Sequence, residues 1–123
     1  NAQEIDIYVC TKTAVYLYQP VGHKLKLVNK GDFRAQAGNN PFHANASVDL
    51  IMVGNYNKMQ GWDEHSIAFY GATDTGYISQ NIYLFCAAEN LKTCVCGNIN
   101  REEIAKFINL KNGYVTLTQP VGK

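Results

Sequence analysis

The residues of this 123-residue chain that are capable of chemistry are not arranged as a nucleophile with its base. His23, His43 and His65 stand far apart, in segments that read as loops or a helix start, and each reads as a solvated side chain. Asp63 and Glu64 are adjacent, and neighbours on a helix do not face each other, so they read as first-turn acids favoured by the helix dipole. The chain contains no Gly-x-Ser-x-Gly, no Walker loop, no His-Glu-x-x-His and no Gly-x-Gly-x-x-Gly. Among Cys10, Cys86, Cys94 and Cys96, the last two are separated by a single residue, whereas structural zinc sites use Cys pairs two to four residues apart. All four therefore read as buried free thiols, with no metal site. Tyr56, Trp62, Phe69 and Tyr70 could stack on an aromatic ligand, but aromatics near a helix start more often serve core or interface.

Two polar breaks remain. Asn1-Ala2-Gln3 precedes the first strand pattern, and Gly97-Asn98 lies between a strand and a capped helix. A glycine at a strand end lets a ligand approach the backbone, and N–H groups freed there can donate to acceptors on a planar cofactor. The same residues also make an ordinary turn, which is what local chemistry alone favours.

The elements that must position these breaks follow from hydrophobic period. Glu4–Cys10 and Ala14–Gln19 alternate and read as an antiparallel hairpin across Thr11-Lys12-Thr13. Lys24–Val28 is open between a third strand and a helical turn, and residues 31–45, rich in Gly, Asn and Pro, read as a loop with one helical turn. Val48–Val53 is a nearly continuous apolar run, as expected of a central strand covered on both faces. A long helix is expected from about Asp63 to Asn90, interrupted by Gly71 and Gly76, which suggest close approach by another backbone or a ligand. Thr93–Cys96 reads as a short strand. Asn100 with Glu103 has capping-box spacing ahead of a helix ended by Asn112-Gly113, and Tyr114–Thr118 is the last strand.

With 46% hydrophobic and 17% charged residues, the composition fits one soluble globular domain. A net charge of +1 with scattered Lys and Arg offers no patch for nucleic acid or anionic lipid. No apolar stretch approaches the ~20 residues that span a bilayer, so no membrane partner is expected. Free thiols are compatible with a cytoplasmic location; any signal peptide would precede Asn1, where the abrupt strand start implies further sequence. The long helix is apolar on nearly every side from Ile82 to Ala88, and one small subunit can hardly cover it. Homodimerisation through this helix is therefore expected.

The pattern Asp74-x-Gly76-x-x-x-Gln80-Asn81-Ile-Tyr-Leu, followed by Asn90-Leu91, a strand, a break, a capped helix and a strand ending in Pro120-Val121-Gly122, resembles the C-terminal part of the nitroreductase family of flavoproteins. It is most similar to the branch related to azoline-forming dehydrogenases, and Asn1-Ala2-Gln3 is similar to the end of the family's Pro-Ser-x-x-Asn-x-Gln segment. The resemblance covers residues 1–123 and implies a single, N-terminally truncated α+β domain. Its fold would be a nitroreductase-like sandwich, with a mixed or antiparallel sheet flanked by helices and a long central helix at a dimer interface. It further implies an FMN-dependent oxidoreductase that passes a hydride from NAD(P)H through the flavin to a small-molecule acceptor such as a nitroaromatic or a quinone. Flavin N5 would carry that chemistry, without a catalytic protein residue. Asn1 and Gln3 would lie near the flavin, Gly97 and Asn98 would offer N–H groups to its N5 and O4 side, and Lys123 would assist with the phosphate. The chain departs from the family in carrying Gly97-Asn98 where a Glu-Gly pair is frequent, and the basic, Ser-containing phosphate segment would lie upstream of Asn1. Alternative readings are a non-catalytic dimeric domain without flavin, and a dehydrogenase acting on a peptide-embedded ring.

Overall fold

A computed structural model describes residues Asn1–Lys123. Six strands form one sheet in which every neighbouring pair is antiparallel: β1 (Ile5–Cys10), β2 (Ala14–Gln19), β3 (Lys24–Lys30), β4 (Val48–Asn55), β5 (Lys92–Thr93) and β6 (Gly113–Gly122), in the order β3-β2-β1-β4-β6-β5. The hairpin expected at the start is present as β1–β2, and the open segment after it is the third strand. Residues 31–45 hold two short turns of helix, a 3₁₀ turn at Arg34–Gln36 and α1 (Phe42–Asn45).

β4 lies inside the sheet, between β1 and β6, and its alternate residues face two different layers. Ile51 and Val53 join Tyr8, Cys10, Val15 and Val115 in a buried cluster closed by Ile104, Phe107 and Ile108 from α3 (Arg101–Phe107) and the residue after it. Leu50, Met52 and Thr116 face the opposite way, toward α2 (Glu64–Ala88). Fully burying one such aliphatic side chain contributes about 1.5–3 kcal/mol, so the cluster under α3 is the principal core of the chain.

Helix α2 starts where capping chemistry places it: the Asp63 carboxylate accepts from the Ser66 N–H at 2.7 Å. It ends at Asn90, which adopts a left-handed conformation (φ 56°) while the Leu91 N–H bonds back to the Cys86 carbonyl at 2.8 Å, a Schellman-type stop. Helix α3 ends in the same way, at Asn109 (φ 54°) with Leu110 bonded to Ala105, earlier than the expected Asn112-Gly113. Its start is as expected: the Asn100 side chain accepts from the Glu103 N–H at 3.1 Å.

The sheet-facing stripe of α2 is built from small residues, Gly71, Thr75, Ser79 and Cys86, at helical spacing. They seat the helix close to the strands. Thr75 bonds the Thr116 hydroxyl at 2.9 Å, and the Tyr114 hydroxyl donates to the Ile67 carbonyl at 3.0 Å. A Cβ added at Gly71 would lie 1.9 Å from that tyrosine oxygen, so the close approach expected at this glycine is real. Gly76 differs, because nothing beyond its own stretch of helix backbone lies within 4 Å of where its Cβ would be. Outside the stripe α2 leaves several large apolar side chains uncovered: Phe69, Tyr77, Leu84 and Phe85 are 54%, 69%, 59% and 59% exposed.

Candidate functional site

Gly97 and Asn98 follow Cys96, which exchanges two backbone bonds with Thr118 of β6 (2.7 and 3.1 Å). The strand expected at Thr93–Cys96 is thus shorter than its pattern: β5 pairs only at Lys92 and Thr93, and contact with β6 resumes as a single bridge at Cys96. At that bridge β6 carries a bulge. Ile51 faces Thr118 and Val53 faces Val115, which leaves both Thr116 and Leu117 opposite Met52. Gly97 lies over Leu117, its virtual Cβ 3.5 Å from a Leu117 methyl, and both Gly97 and Asn98 are exposed.

The N–H groups of Gly97 and Asn98 donate to no acceptor in the chain. Asn98 is held from its other side, accepting through its carbonyl from the Asn39 N–H at 3.4 Å and through Oδ1 from Asn39 Nδ2 at 2.9 Å. Arg101 adds a positive charge that the sequence reading did not assign. Its guanidinium donates to the Thr116 carbonyl (3.1 and 2.7 Å) and to the Gly97 carbonyl at 3.4 Å, fastening the bulge to the break. Two free donors beside an arginine form a fixed, electropositive edge on an exposed surface, suited to an acceptor-rich planar group.

Asn1 and Gln3 stand elsewhere. With Ala2, Glu4, Ile5, Trp62, Tyr70, Asp74, Tyr77 and Ile78 they line a groove of about 640 Å³ between the start of β1 and the first half of α2. Glu4 is 2% exposed and its Oε1 has no partner. Burial, and then hydrogen bonding with the Asp74 carboxyl, push Glu4 above the ordinary carboxylate range. Lys123 lines a third region, a groove of about 350 Å³, with Lys92, Phe42, Asn45 and Cys94. Lys92 pairs with Gly122 and Cys96 with Thr118, so the lysine end lies roughly 13 Å along β6 from Gly97 at ordinary strand rise. Within one chain the five expected residues therefore occupy three places.

The reading of the histidines needs correction at His43. This side chain is fully buried, and its Nδ1 lies 2.6 Å from Oδ1 of Asp49, itself fully buried on β4. Burial pushes Asp49 up to about 8 and holds His43 below its usual value, so the pair shares one proton and is neutral as a whole. Asp49 was the available signal: a lone carboxylate inside an apolar core strand requires a buried partner. The thiol reading holds at Cys10, Cys86 and Cys96, whereas Cys94 is exposed.

The profile of the nitroreductase family matches residues 1–123. The chain belongs to the nitroreductase family. The resemblance carried by Asp74 to Asn81 and the expected α+β sandwich are thus borne out, with the sheet wholly antiparallel. A crystal structure of a nitroreductase-type protein from Ralstonia eutropha superposes with a TM-score of 0.91 at 32% identity, over 98% of this chain and 58% of that one. The Escherichia coli microcin synthetase McbBCD complex with truncated pro-MccB17 bound matches with a TM-score of 0.86 at 19% identity, over 99% of this chain and 52% of that one. A nitroreductase-type protein from Anabaena variabilis gives 0.83 at 16% identity, over 98% of this chain and 27% of that one. The last two likenesses are of fold alone. The chain spans 58% of the Ralstonia protein and less of the other two. No curated protein matches the chain, and none of its helices is long and apolar enough to cross a membrane.

Proposed function

We propose that this chain is part of an FMN-dependent oxidoreductase that takes a hydride from NAD(P)H and delivers it to a small organic acceptor such as a nitroaromatic or a quinone, and that it works as a homodimer joined through α2. The observation that carries the proposal is the pair of unpaired N–H donors at Gly97 and Asn98, beside Arg101 and over a β-bulge, in a chain of this family.

These residues fit the cofactor. Gly97 has no side chain to hold a planar ring away from the backbone, and its neighbour offers a second donor on the same exposed turn. When bound, FMN supplies hydride transfer between nicotinamide and acceptor. Gly97 and Asn98 would hold it by donating from the backbone, and Arg101 would add positive charge where negative charge gathers on reduction. Asn1 and Gln3 would meet it from the start of β1, and Lys123 would serve a phosphate. No protein acid or base is required by this assignment.

The dimer is supported by α2 itself. Phe69, Tyr77, Leu84 and Phe85 expose large apolar surfaces on one helix, and Gly76 leaves room for a close neighbour. Because the chain spans 58% of the Ralstonia protein and 52% of the McbBCD chain it matches, we read it as the C-terminal part of a longer domain, the remainder supplying the phosphate-binding segment. The test is titration of the protein with FMN, followed by addition of NADH or NADPH under anaerobic conditions. Bound flavin whose absorbance is bleached by the nicotinamide supports the reading; a protein that dimerises and takes up no flavin supports the non-catalytic alternative.

A further inference from the structure

We propose that Asn39 is a positioning residue for the cofactor, one that clamps the Gly97-Asn98 turn so that its two free N–H groups are held ready before the flavin binds. The proposal rests on the flavin reading above. Asn39 lies in the loop before α1, 59 residues from Asn98 in the chain, and meets it twice: its N–H donates to the Asn98 carbonyl at 3.4 Å and its Nδ2 donates to Asn98 Oδ1 at 2.9 Å. Arg101 reaches the same turn from α3, donating to the Gly97 carbonyl at 3.4 Å. Both carbonyls of the turn are thus engaged and both N–H groups are left free. Gly97 and Asn98 are exposed and lie outside any strand or helix, where a glycine has wide backbone freedom. Donors stabilise charge on a bound ring most when they already point at it, because no reorganisation is then needed on binding.

The loop that carries Asn39 is anchored without it. Ala37 is fully buried, and its carbonyl accepts from the buried Thr118 hydroxyl at 2.8 Å. Thr118 also exchanges its backbone bonds with Cys96, the residue before Gly97. Gly38 packs so closely on His43 that a side chain there would collide with the imidazole Nε2, and His43 is itself fixed against Asp49 at 2.6 Å. One residue of β6 therefore ties down the base of the loop and the base of the turn, and Asn39 closes the span between them. Because Asn39 is exposed, truncating its side chain strands no buried group. Its loss loosens the turn and leaves the scaffold in place.

The full chain is compared with N39A, N98A and the double variant in two measurements. In the flavin-free protein, backbone amide NMR relaxation should show Gly97 and Asn98 ordered in the wild type and mobile on the ps–ns scale in N39A, with the amides of β4 and β6 unchanged. In titrations with FMN, N39A and N98A should each weaken binding about fivefold. The double variant should bind no more weakly than either single one, because both substitutions remove the same side-chain bond. Equal amide mobility in N39A and the wild type overturns the proposal, as do an unchanged FMN affinity in N39A or additive losses in the double variant. A wild-type chain that takes up no flavin overturns the flavin reading, and the relaxation measurement then decides alone whether Asn39 holds the turn.

Discussion

The Tyr114 hydroxyl donates to the Ile67 carbonyl at 3.0 Å and occupies the space that a side chain at Gly71 would need, 1.9 Å from the virtual Cβ. One tyrosine thereby sets how closely α2 approaches the sheet. In an isolated helix Gly71→Ala would gain about 1 kcal/mol of propensity. Here the collision wins, and G71A should lower the urea midpoint by an amount equivalent to about 1–3 kcal/mol. Adding Tyr114→Phe should recover part of the loss, because the colliding oxygen is gone; a double mutant no more stable than G71A would refute this account of the packing.

The buried pair of His43 and Asp49 predicts an upper pH limit to the stability it contributes. In the folded state Asp49 keeps its proton up to about 8, whereas the unfolded chain has lost the Asp proton above 3.8 and the His proton above 6.5. Between 6.5 and about 8 the folded pair therefore binds one proton more than the unfolded chain, and stability falls as pH rises through that range. Chemical denaturation at stepped pH should show the decline above 6.5, and H43A, which leaves the buried Asp49 carboxyl without its partner, should cost about 1–3 kcal/mol.

Uncovered apolar residues on α2 predict association. Phe85 and Leu84 are each 59% exposed in the single chain. Sedimentation should report a dimer, and L84E should shift it to monomer with little change in helix content. A wild-type chain that stays monomeric at tens of micromolar would remove α2 as the interface.

Gly97 offers a clean probe of the cofactor contact, because its virtual Cβ meets only a Leu117 methyl at 3.5 Å, an ordinary distance. G97V should fold normally yet weaken FMN binding at least tenfold by holding the ring away from the backbone. Unchanged affinity would mean that the flavin contacts lie elsewhere.

The four cysteines should differ sharply in reactivity. Cys94 is exposed, Cys10, Cys86 and Cys96 are buried, and burial pushes the Cys10 thiol up to about 12. Under native conditions an aromatic disulfide reagent should modify one thiol rapidly, and C94S should abolish that phase.

Much of the scaffold was legible because it rests on local chemistry. The hairpin β1–β2, the apolar run of β4 and the cap at Asn100 follow from side-chain period and from short-range hydrogen bonds that sequence neighbours make, whereas Asp63, read as a first-turn acid, is the N-cap of α2. The C-terminus of α3 was misplaced because Asn109, not Asn112-Gly113, takes the left-handed conformation, and either residue can do so. The truncated β5 was misjudged because its pairing is with β6, more than twenty residues away in the chain.

By itself the sequence determined most of the element types and the family, which depend on residue identity at short range. Only the tertiary structure decided that His43 is sealed against Asp49, that Glu4 faces Asp74 with an oxygen unpaired, and that Arg101 fastens the Gly97 turn to the β6 bulge. Each of these joins residues from different elements. Burial and desolvation, which give such groups their altered protonation and their unmet bonds, exist only once the sheet and its two helical layers have closed around them.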